Sequence, residues 1–284
     1  MKTEFYKYHS LLNDLVVLDR LSKPYQLGQE EIEASGWKQH AITLCDRHGG
    51  VGADGVIVLA RCPHSELPEM FIFNADGSRA ENCINGLRCV AAHLVSFHGV
   101  GTTFSVKIGL RIAECSVERQ HTSIGAWLVT SRVGQIHYGG EVSVRSEGRM
   151  FSGHIVSIGN PHCIVFDRPL TNWQVHGKNL ESDQQFPNRT NVEFVWQEDD
   201  SRASCARCYH AVVYERGSGP TLSCSSGAAA ITGLLVHRGE VAPLQEITIC
   251  MPGGSQRGWV DSGGEVVLQG LAHLVFMGGF YHSV

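Results

Sequence analysis

The sequence predicts an α+β protein made of two similar halves, and three observations lead to this prediction. Residues 83–86 and 224–227 share the pattern Cys-x-x-Gly, and each opens an apolar, helix-like run. The two cysteines lie 141 residues apart in a chain of 284 residues, which is half of its length. Short alternating runs separated by glycine, as in residues 102–132, are typical of antiparallel strands. We therefore expect two domains, each with a sheet, a helix and one thiol.

The composition limits the classes of function. A hydrophobic content of 43% over 284 residues is enough for a large core. A net charge of −5 without a run of Lys or Arg argues against a nucleic-acid partner. Apolar runs such as residues 56–60 fall far short of a membrane span, and residues 1–9 contain no apolar signal segment. We expect a cytoplasmic protein that does not contact a membrane and whose ten cysteines are reduced.

The first half is expected to alternate strands and helices up to about residue 130. Residues 13–20 read as a strand, 28–43 as an amphipathic helix and 56–60 as a strand after a glycine-rich turn. That turn lacks the Gly-Lys-Ser/Thr of a phosphate loop, so we expect no nucleotide there. Residues 70–73 form a strand that delivers Asn74, a helix covers residues 85–97, and antiparallel strands fill residues 102–132.

The second half is expected to repeat this plan. Residues 153–158 read as a strand, 186–194 as a loop that enters a strand, and 206–214 as a strand that ends at Glu215 and Arg216. An Ala-rich helix follows Cys224, and the tail from residue 245 alternates strand-like runs with glycine pairs. Cys205 and Cys208 form a Cys-x-x-Cys without a second pair at zinc-site spacing, so we expect no structural metal there.

The two cysteines sit where a thiol is easily activated. Unpaired backbone N–H groups and the positive end of the helix dipole stabilise a thiolate at the first turn of a helix. The same N–H groups can bind a carboxylate. Two such loops facing each other would hold an amino acid between two thiols, and one thiol could remove the α-proton while the other returns a proton to the opposite face.

Six short motifs carry a family resemblance. They occupy residues 74–78 (Asn-Ala-Asp-Gly-Ser), 85–89 (Asn-Gly-Leu-Arg-Cys), 159–163 (Gly-Asn-Pro-His-Cys), 189–194 (Arg-Thr-Asn-Val-Glu-Phe), 215–217 (Glu-Arg-Gly) and 252–255 (Pro-Gly-Gly-Ser). In this order and over this span, the sequence resembles the diaminopimelate epimerase family.

The resemblance implies an architecture. Two pseudo-symmetric α/β domains each have a curved, mostly antiparallel sheet around a central helix, with the active site in the cleft between them. The N-terminal domain would comprise residues 1–129 and 273–284, and the C-terminal domain residues 130–272. The resemblance also implies a homodimer, a small-molecule amino-acid substrate, and a reaction without pyridoxal phosphate, another cofactor or a metal.

The resemblance also implies residue roles. The catalytic residues would be Cys83 and Cys224, assisted by His162 and Glu215, while Arg216 would bind the distal carboxylate of diaminopimelate. The other implied substrate-binding residues are Asn13, Asn74, Ile84, Asn85, Gly86, Asn160, Asn191, Ser225 and Ser226.

Several positions around the expected pocket depart from the family pattern. Ile84 and Ser225 stand where the family has glycine after each catalytic cysteine, and Ser10 and Leu12 replace the two glycines of its opening motif. A β-branched Ile does not readily take up the unusual backbone angles that glycine allows. These changes fit either tolerated drift in the same enzyme or a pocket adapted to another amino acid.

Four hypotheses follow. The first is an epimerase that interconverts L,L- and meso-diaminopimelate on the lysine and peptidoglycan route. The second is a racemase or epimerase of the same chemistry for a different amino acid. The third is a catalytically silent binding protein, against which the two retained cysteines argue. The fourth is a thiol oxidoreductase, which Cys205 and Cys208 alone support only weakly.

Overall fold

The computed structural model describes residues 2–21, 36–61, 66–80, 82–109, 111–120, 125–198 and 207–281. The chain divides into two compact units. Unit 1 comprises Met1–Ser131 and Gly270–Val284, and unit 2 comprises Arg132–Gln269. The chain therefore leaves unit 1 within strand β7 (Ala126–Gly134) and returns to it within strand β16 (Val266–Tyr281).

The sheet of unit 1 curves until it closes. Its other strands are β1 (Lys2–Ser10), β2 (Asn13–Asp19), β3 (Gly55–Arg61), β4 (Pro68–Asn74), β5 (Thr103–Ile108) and β6 (Arg111–Arg119). They neighbour one another in chain order, and β16 pairs with β1 at the other edge. The pairs β2–β3 and β4–β5 are parallel, whereas the other pairs with a resolved register are antiparallel.

Two helices of unit 1 connect its parallel strand pairs, because a parallel pair needs a crossover. Helix α1 (Trp37–Cys45) lies between β2 and β3, and helix α2 (Ile84–Phe97) lies between β4 and β5. All residues of α2 from Ile84 to Leu94 are buried. A helix enclosed on every side in this way is the core of its unit.

Unit 2 repeats this topology. Its strands are β8 (His137–Ser146), β9 (Arg149–Ser157), β10 (Pro161–Phe166), β11 (Asn191–Trp196), β12 (Cys208–Glu215), β13 (Gly219–Thr221), β14 (Ile247–Met251) and β15 (Gly254–Val260). The parallel pairs are β10–β11, joined through helix α3 (Trp173–Glu181), and β12–β14, joined through helix α4 (Ser225–His237). Helix α4 is buried from Ser225 to Leu235.

The predicted α+β class, with strand-rich sheets and few helices, is confirmed. Two details were wrong. A continuous helix over residues 28–43 is excluded because α1 begins at Trp37, after Gly36 in the left-handed conformation; residues 28–35 lie outside the described residues. Cys208 is disulfide-bonded, so the expectation of ten reduced thiols fails, although the seven other described cysteines are free.

Candidate active site

Cys83 caps the N-terminus of the buried helix of unit 1. Its backbone is extended (φ −148°), and its Sγ accepts a hydrogen bond from the Gly86 N–H at 3.2 Å. A Cβ on residue 86 would lie 2.9 Å from Ile57 and 3.3 Å from the Cys83 sulfur. Gly86 therefore lets the helix approach the sheet closely enough for its N–H to reach the thiol.

Cys224 has the same position on the buried helix of unit 2. Its backbone is again extended (φ −128°), and its Sγ accepts a hydrogen bond from the Gly227 N–H at 3.4 Å. A Cβ on residue 227 would lie 2.5 Å from Glu193 Oε1. In both units, then, a free thiol lies at the positive end of a core helix, and a glycine three residues later permits the close packing.

The charges near the two thiols differ. In unit 1, the fully buried guanidinium of Arg88 interacts electrostatically with Cys83 and donates hydrogen bonds to Asn85 Oδ1 (3.3 Å) and Ser10 Oγ (3.4 Å). Burial lowers the pKa of Arg88 to about 10, while the interactions with Cys89 and Cys83 act in the opposite direction and raise it. A cation near Cys83 favours the thiolate form of that residue.

In unit 2 the surroundings favour the neutral thiol. Burial raises the pKa of Cys224 well above its usual range, and the carboxylates of Glu215 and Glu193 raise it further. Both thiols were predicted as one pair of acid–base groups, and the structure adds that a buried cation interacts with Cys83 whereas two carboxylates interact with Cys224.

A chain of hydrogen bonds connects a buried carboxylate to Cys224. Glu193 Oε1 lies 2.8 Å from His162 Nδ1, and both side chains are fully buried. His162 Nε2 lies 3.2 Å from Asn160 Oδ1, Asn160 Nδ2 donates to Ser226 Oγ at 3.1 Å, and that hydroxyl lies 3.3 Å from the Cys224 sulfur. His162 therefore reaches the thiol through two intermediate side chains, and Asn160, with its oxygen towards His162, accepts a hydrogen bond from Nε2–H.

Glu193 was missed in the sequence, although it stands within one of the quoted motifs. A single Glu inside the apolar run of β11 carries no sign of its partner, which is 31 residues away on the adjacent strand. The second oxygen, Oε2, is buried and has no hydrogen-bond partner in the described part of the chain. The hydrogen bond to His162 compensates for the burial of this side chain.

Glu215, Arg216 and Asn191 meet where β12 ends and β11 begins. Thr221 donates a hydrogen bond to Glu215 at 2.5 Å, and the Arg216 backbone N–H donates to Asn191 Oδ1 at 2.9 Å. Asn191 Nδ2 in turn donates to the carbonyl oxygen of Pro161 at 3.0 Å. Arg216 is half-buried rather than fully enclosed.

In unit 1, Asn13 and Asn74 lie at the same end of the sheet, since β2 begins where β4 ends and β3 lies between them. Asn13 Nδ2 donates to Asp54 at 3.1 Å, and Asn74 Nδ2 donates to Ser78 Oγ at 2.9 Å. In each asparagine the side-chain nitrogen makes this hydrogen bond, and the side-chain oxygen takes no part in it.

The departures from the family pattern have different structural consequences. Ile84 and Ser225 are the first residues of α2 and α4, so neither needs unusual backbone angles. The Ser225 hydroxyl donates to Gln256 Oε1 at 3.0 Å. Leu12, however, has φ +60°, in the left-handed region that favours glycine. Ser10 is buried, and its hydroxyl donates to the Leu271 carbonyl at 2.8 Å.

One group of side chains among the described residues could hold a metal ion: Asp19, His93 and His98. It lies at the C-terminal end of α2, the end opposite Cys83. No described helix is long and apolar enough to cross a membrane.

Several solved structures share this fold. A hydroxyproline epimerase from Agrobacterium vitis with bound trans-4-OH-L-proline is similar with a TM-score of 0.75 and 12% identity, covering 98% of this chain and 91% of that one. A phenazine biosynthesis protein of the PhzF family from Bacillus anthracis gives a TM-score of 0.73 and 12% identity, covering 99% and 100% of the two chains. At these identities the likeness concerns the fold, which is that of the racemases and epimerases.

Relatives that are similar in sequence identify the family. The diaminopimelate epimerase of Microcystis aeruginosa is 33% identical, with 98% of this chain and 99% of that protein covered. Diaminopimelate epimerase 1 of Nostoc sp. is 34% identical over 98% and 99%. The family model for diaminopimelate epimerase matches residues 5–131 and 154–275. The protein is therefore an isomerase of the epimerase and racemase class, and the chain belongs to the diaminopimelate epimerase family.

Proposed function

We propose that the protein inverts the α-carbon of an amino acid with Cys83 and Cys224 as its two bases. The supporting observation is that both free cysteines cap the buried helices at equivalent positions of a repeated topology. One thiolate removes the α-proton and becomes a thiol, and the other thiol protonates the opposite face and becomes a thiolate. The proton transfers balance, and no group changes its oxidation state.

The local charges support one proposal for the resting state. Arg88 favours the thiolate of Cys83, whereas burial and the carboxylates of Glu215 and Glu193 keep Cys224 protonated. The proposed resting enzyme thus has a base in unit 1 and an acid in unit 2. The hydrogen-bond chain from His162 ends at Ser226 beside the Cys224 sulfur, where it supports changes in protonation of that thiol.

The proposed substrate is diaminopimelate, converted between its L,L and meso forms in lysine and peptidoglycan biosynthesis. Family membership and the names of the relatives support this choice. The backbone N–H groups in the first turns of α2 and α4 would bind the α-carboxylate. Arg216 would pair with the distal carboxylate, and Asn13, Asn74 and Asn191 would orient the substrate. The reaction would use no cofactor.

The experiment is α-proton exchange in D₂O, followed by proton NMR on the reduced protein with L,L- and meso-diaminopimelate and a panel of other amino acids. Exchange of diaminopimelate alone is expected. Exchange confined to another amino acid would keep the chemistry but reject the substrate, as the Leu12 and Ile84 departures allow. No exchange with any amino acid would leave a silent binding protein.

Variants of the thiols test the mechanism. Cys83→Ala and Cys224→Ala are each expected to abolish inversion, although one of them can retain exchange from a single face. Cys250→Ala is the matched control, because Cys250 is another free, partly buried cysteine of unit 2. Normal inversion by both single variants would rule out the two-base mechanism.

We also propose a cytoplasmic homodimer. The last part of β16 exposes three consecutive apolar side chains, Val275, Phe276 and Met277, each about half exposed in the isolated chain. A second copy would cover this surface. Light scattering should show a dimer that Phe276→Lys converts to a monomer, while Ile112→Lys, at another exposed apolar position, should leave it dimeric.

A further inference from the structure

Three side chains converge at the C-terminal end of α2, away from the proposed active site. Asp19 is the last residue of β2, His93 is in α2, and His98 is the C-cap of that helix. Asp19 Oδ2 lies 3.1 Å from His93 Nε2 and 2.6 Å from His98 Nε2. These three atoms all lie within 4.8 Å of one another.

The donor atoms are held in place by further contacts. His93 is fully buried, and its Nδ1 lies 3.3 Å from the hydroxyl of Tyr8, so its Nε2 is the nitrogen that faces Asp19. The other carboxylate oxygen, Oδ1, accepts the Leu21 N–H at 2.9 Å. An outer hydrogen bond that fixes the orientation of a histidine or carboxylate is the usual support of a metal ligand.

The charge of the group suits a divalent cation. The Asp19 carboxylate lies 3.1 Å and 2.6 Å from the two imidazole nitrogens. The last turn of α2 contains no Lys or Arg, so the negative end of the helix dipole is not offset by a basic side chain there. The carboxylate and the end of the helix therefore both favour a cation at this position.

We propose that Asp19, His93 and His98 bind a late first-row divalent metal ion, with Zn²⁺ as the representative. Two imidazoles and one carboxylate favour zinc, cobalt and nickel over calcium and magnesium, which prefer oxygen ligands. Zinc ligands at about 2.0–2.2 Å in a tetrahedron lie about 3.4 Å from one another. The 3.1 Å pair fits this spacing, whereas the 2.6 Å distance from Asp19 to His98, which is one-fifth exposed at the helix end, has to lengthen by about 0.8 Å.

The site joins the end of β2 to the end of the helix that carries Cys83. His98 lies fifteen positions after Cys83, which corresponds to about 22 Å of helix at 1.5 Å per residue. The ion therefore takes no part in the proposed proton transfers. Its role is to hold the core helix of unit 1 against the sheet, with water in the fourth position.

The test uses chelator-stripped full-length protein with Cys83→Ser and Cys224→Ser, so that the two proposed catalytic thiols cannot supply ligands. Calorimetric titration with Zn²⁺ should show one equivalent bound, with a rise in the melting temperature. Asp19→Asn and His98→Gln should each weaken binding at least about tenfold. His237→Gln, in the last turn of the equivalent helix of unit 2, should not change it.

A visible spectrum with Co²⁺ provides a second readout that does not depend on stability. The band should appear in the parent and in His237→Gln but not in His98→Gln, which alters only a partly exposed side chain. Absence of a stoichiometric site, or equal binding by all variants, would overturn the proposal. Asp19 would then act only as the hydrogen-bond acceptor of two histidines.

Discussion

Glu193→Gln is the sharpest test of the hydrogen-bond chain that leads to Cys224. The substitution keeps the size of the side chain but removes the negative charge 2.8 Å from His162. A hydrogen bond to a charged group contributes about 1.5–3 kcal/mol, and 1.4 kcal/mol corresponds to a factor of ten. We therefore expect kcat/KM for epimerisation to fall by about 10–100-fold.

The pH profile separates this role from a merely structural one. Glu193 is one of the groups that raise the pKa of Cys224, so removing its charge lowers that pKa. If Cys224 must be protonated to act as the acid, the alkaline limb of kcat/KM moves to lower pH in Glu193→Gln. The assay is the rate of inversion of diaminopimelate measured from neutral to alkaline pH.

Glu69→Gln is the matched control, because Glu69 is also buried and paired, with Lys107 at 2.9 Å, but belongs to unit 1. It should lower the melting temperature without moving the alkaline limb. A Glu193→Gln enzyme with kcat/KM within twofold of the parent and an unmoved limb would refute the reasoning.

Two further predictions concern stability. Leu12→Gly should stabilise the protein by up to about 1 kcal/mol in urea unfolding. The substitution removes the cost of a left-handed backbone at a non-glycine residue, which is about 1–2 kcal/mol. It adds about 0.5–1 kcal/mol for the greater conformational entropy that glycine loses on folding. Leu11→Gly, at φ +52° but buried, should be destabilising instead, and the reverse order would contradict this account. Burial raises the pKa of Cys115 and of Cys163 to about 12 each. In the unfolded chain the pKa of a cysteine is near about 8.5. The stability that the two neutral thiols contribute is therefore complete below about pH 8.5 and is lost as the pH rises towards about 12. The free energy of unfolding should therefore fall between pH 9 and 11, by about 1.4 kcal/mol per pH unit for each thiol, and replacing both by Ala should flatten the slope.

The repeated core was predictable from the sequence because its signals are local. A cysteine followed by two residues and a glycine, then an apolar run, marks the start of α2 and of α4 in the same way. Because these two helices are buried on every face, their sequences read as largely apolar runs. The fold class followed from two such helices among short strands.

Other parts of the fold and of the site depend on contacts that no local sequence pattern predicts. β1 mixes charged and aromatic residues, and its Lys7 is buried because Asp14 and the carbonyl of Gly52 surround the ammonium group. Glu193 looks like an isolated polar residue in a strand until His162 is placed beside it. Asp19 lies 74 residues from His93, so neither residue predicts the other.

The return of the chain into unit 1 has a consequence for synthesis on the ribosome. β1 pairs with β16 from Lys2 opposite Tyr281 to His9 opposite His273, so β1 must wait for this partner until residues 273–281 have been made. Unit 2, which is continuous in sequence, can fold completely in the meantime. During that interval β1 keeps an unpaired edge, the feature most open to pairing with another chain. Slowing translation over residues 270–284 should therefore increase aggregation of the nascent protein, whereas slowing it within unit 2 should not.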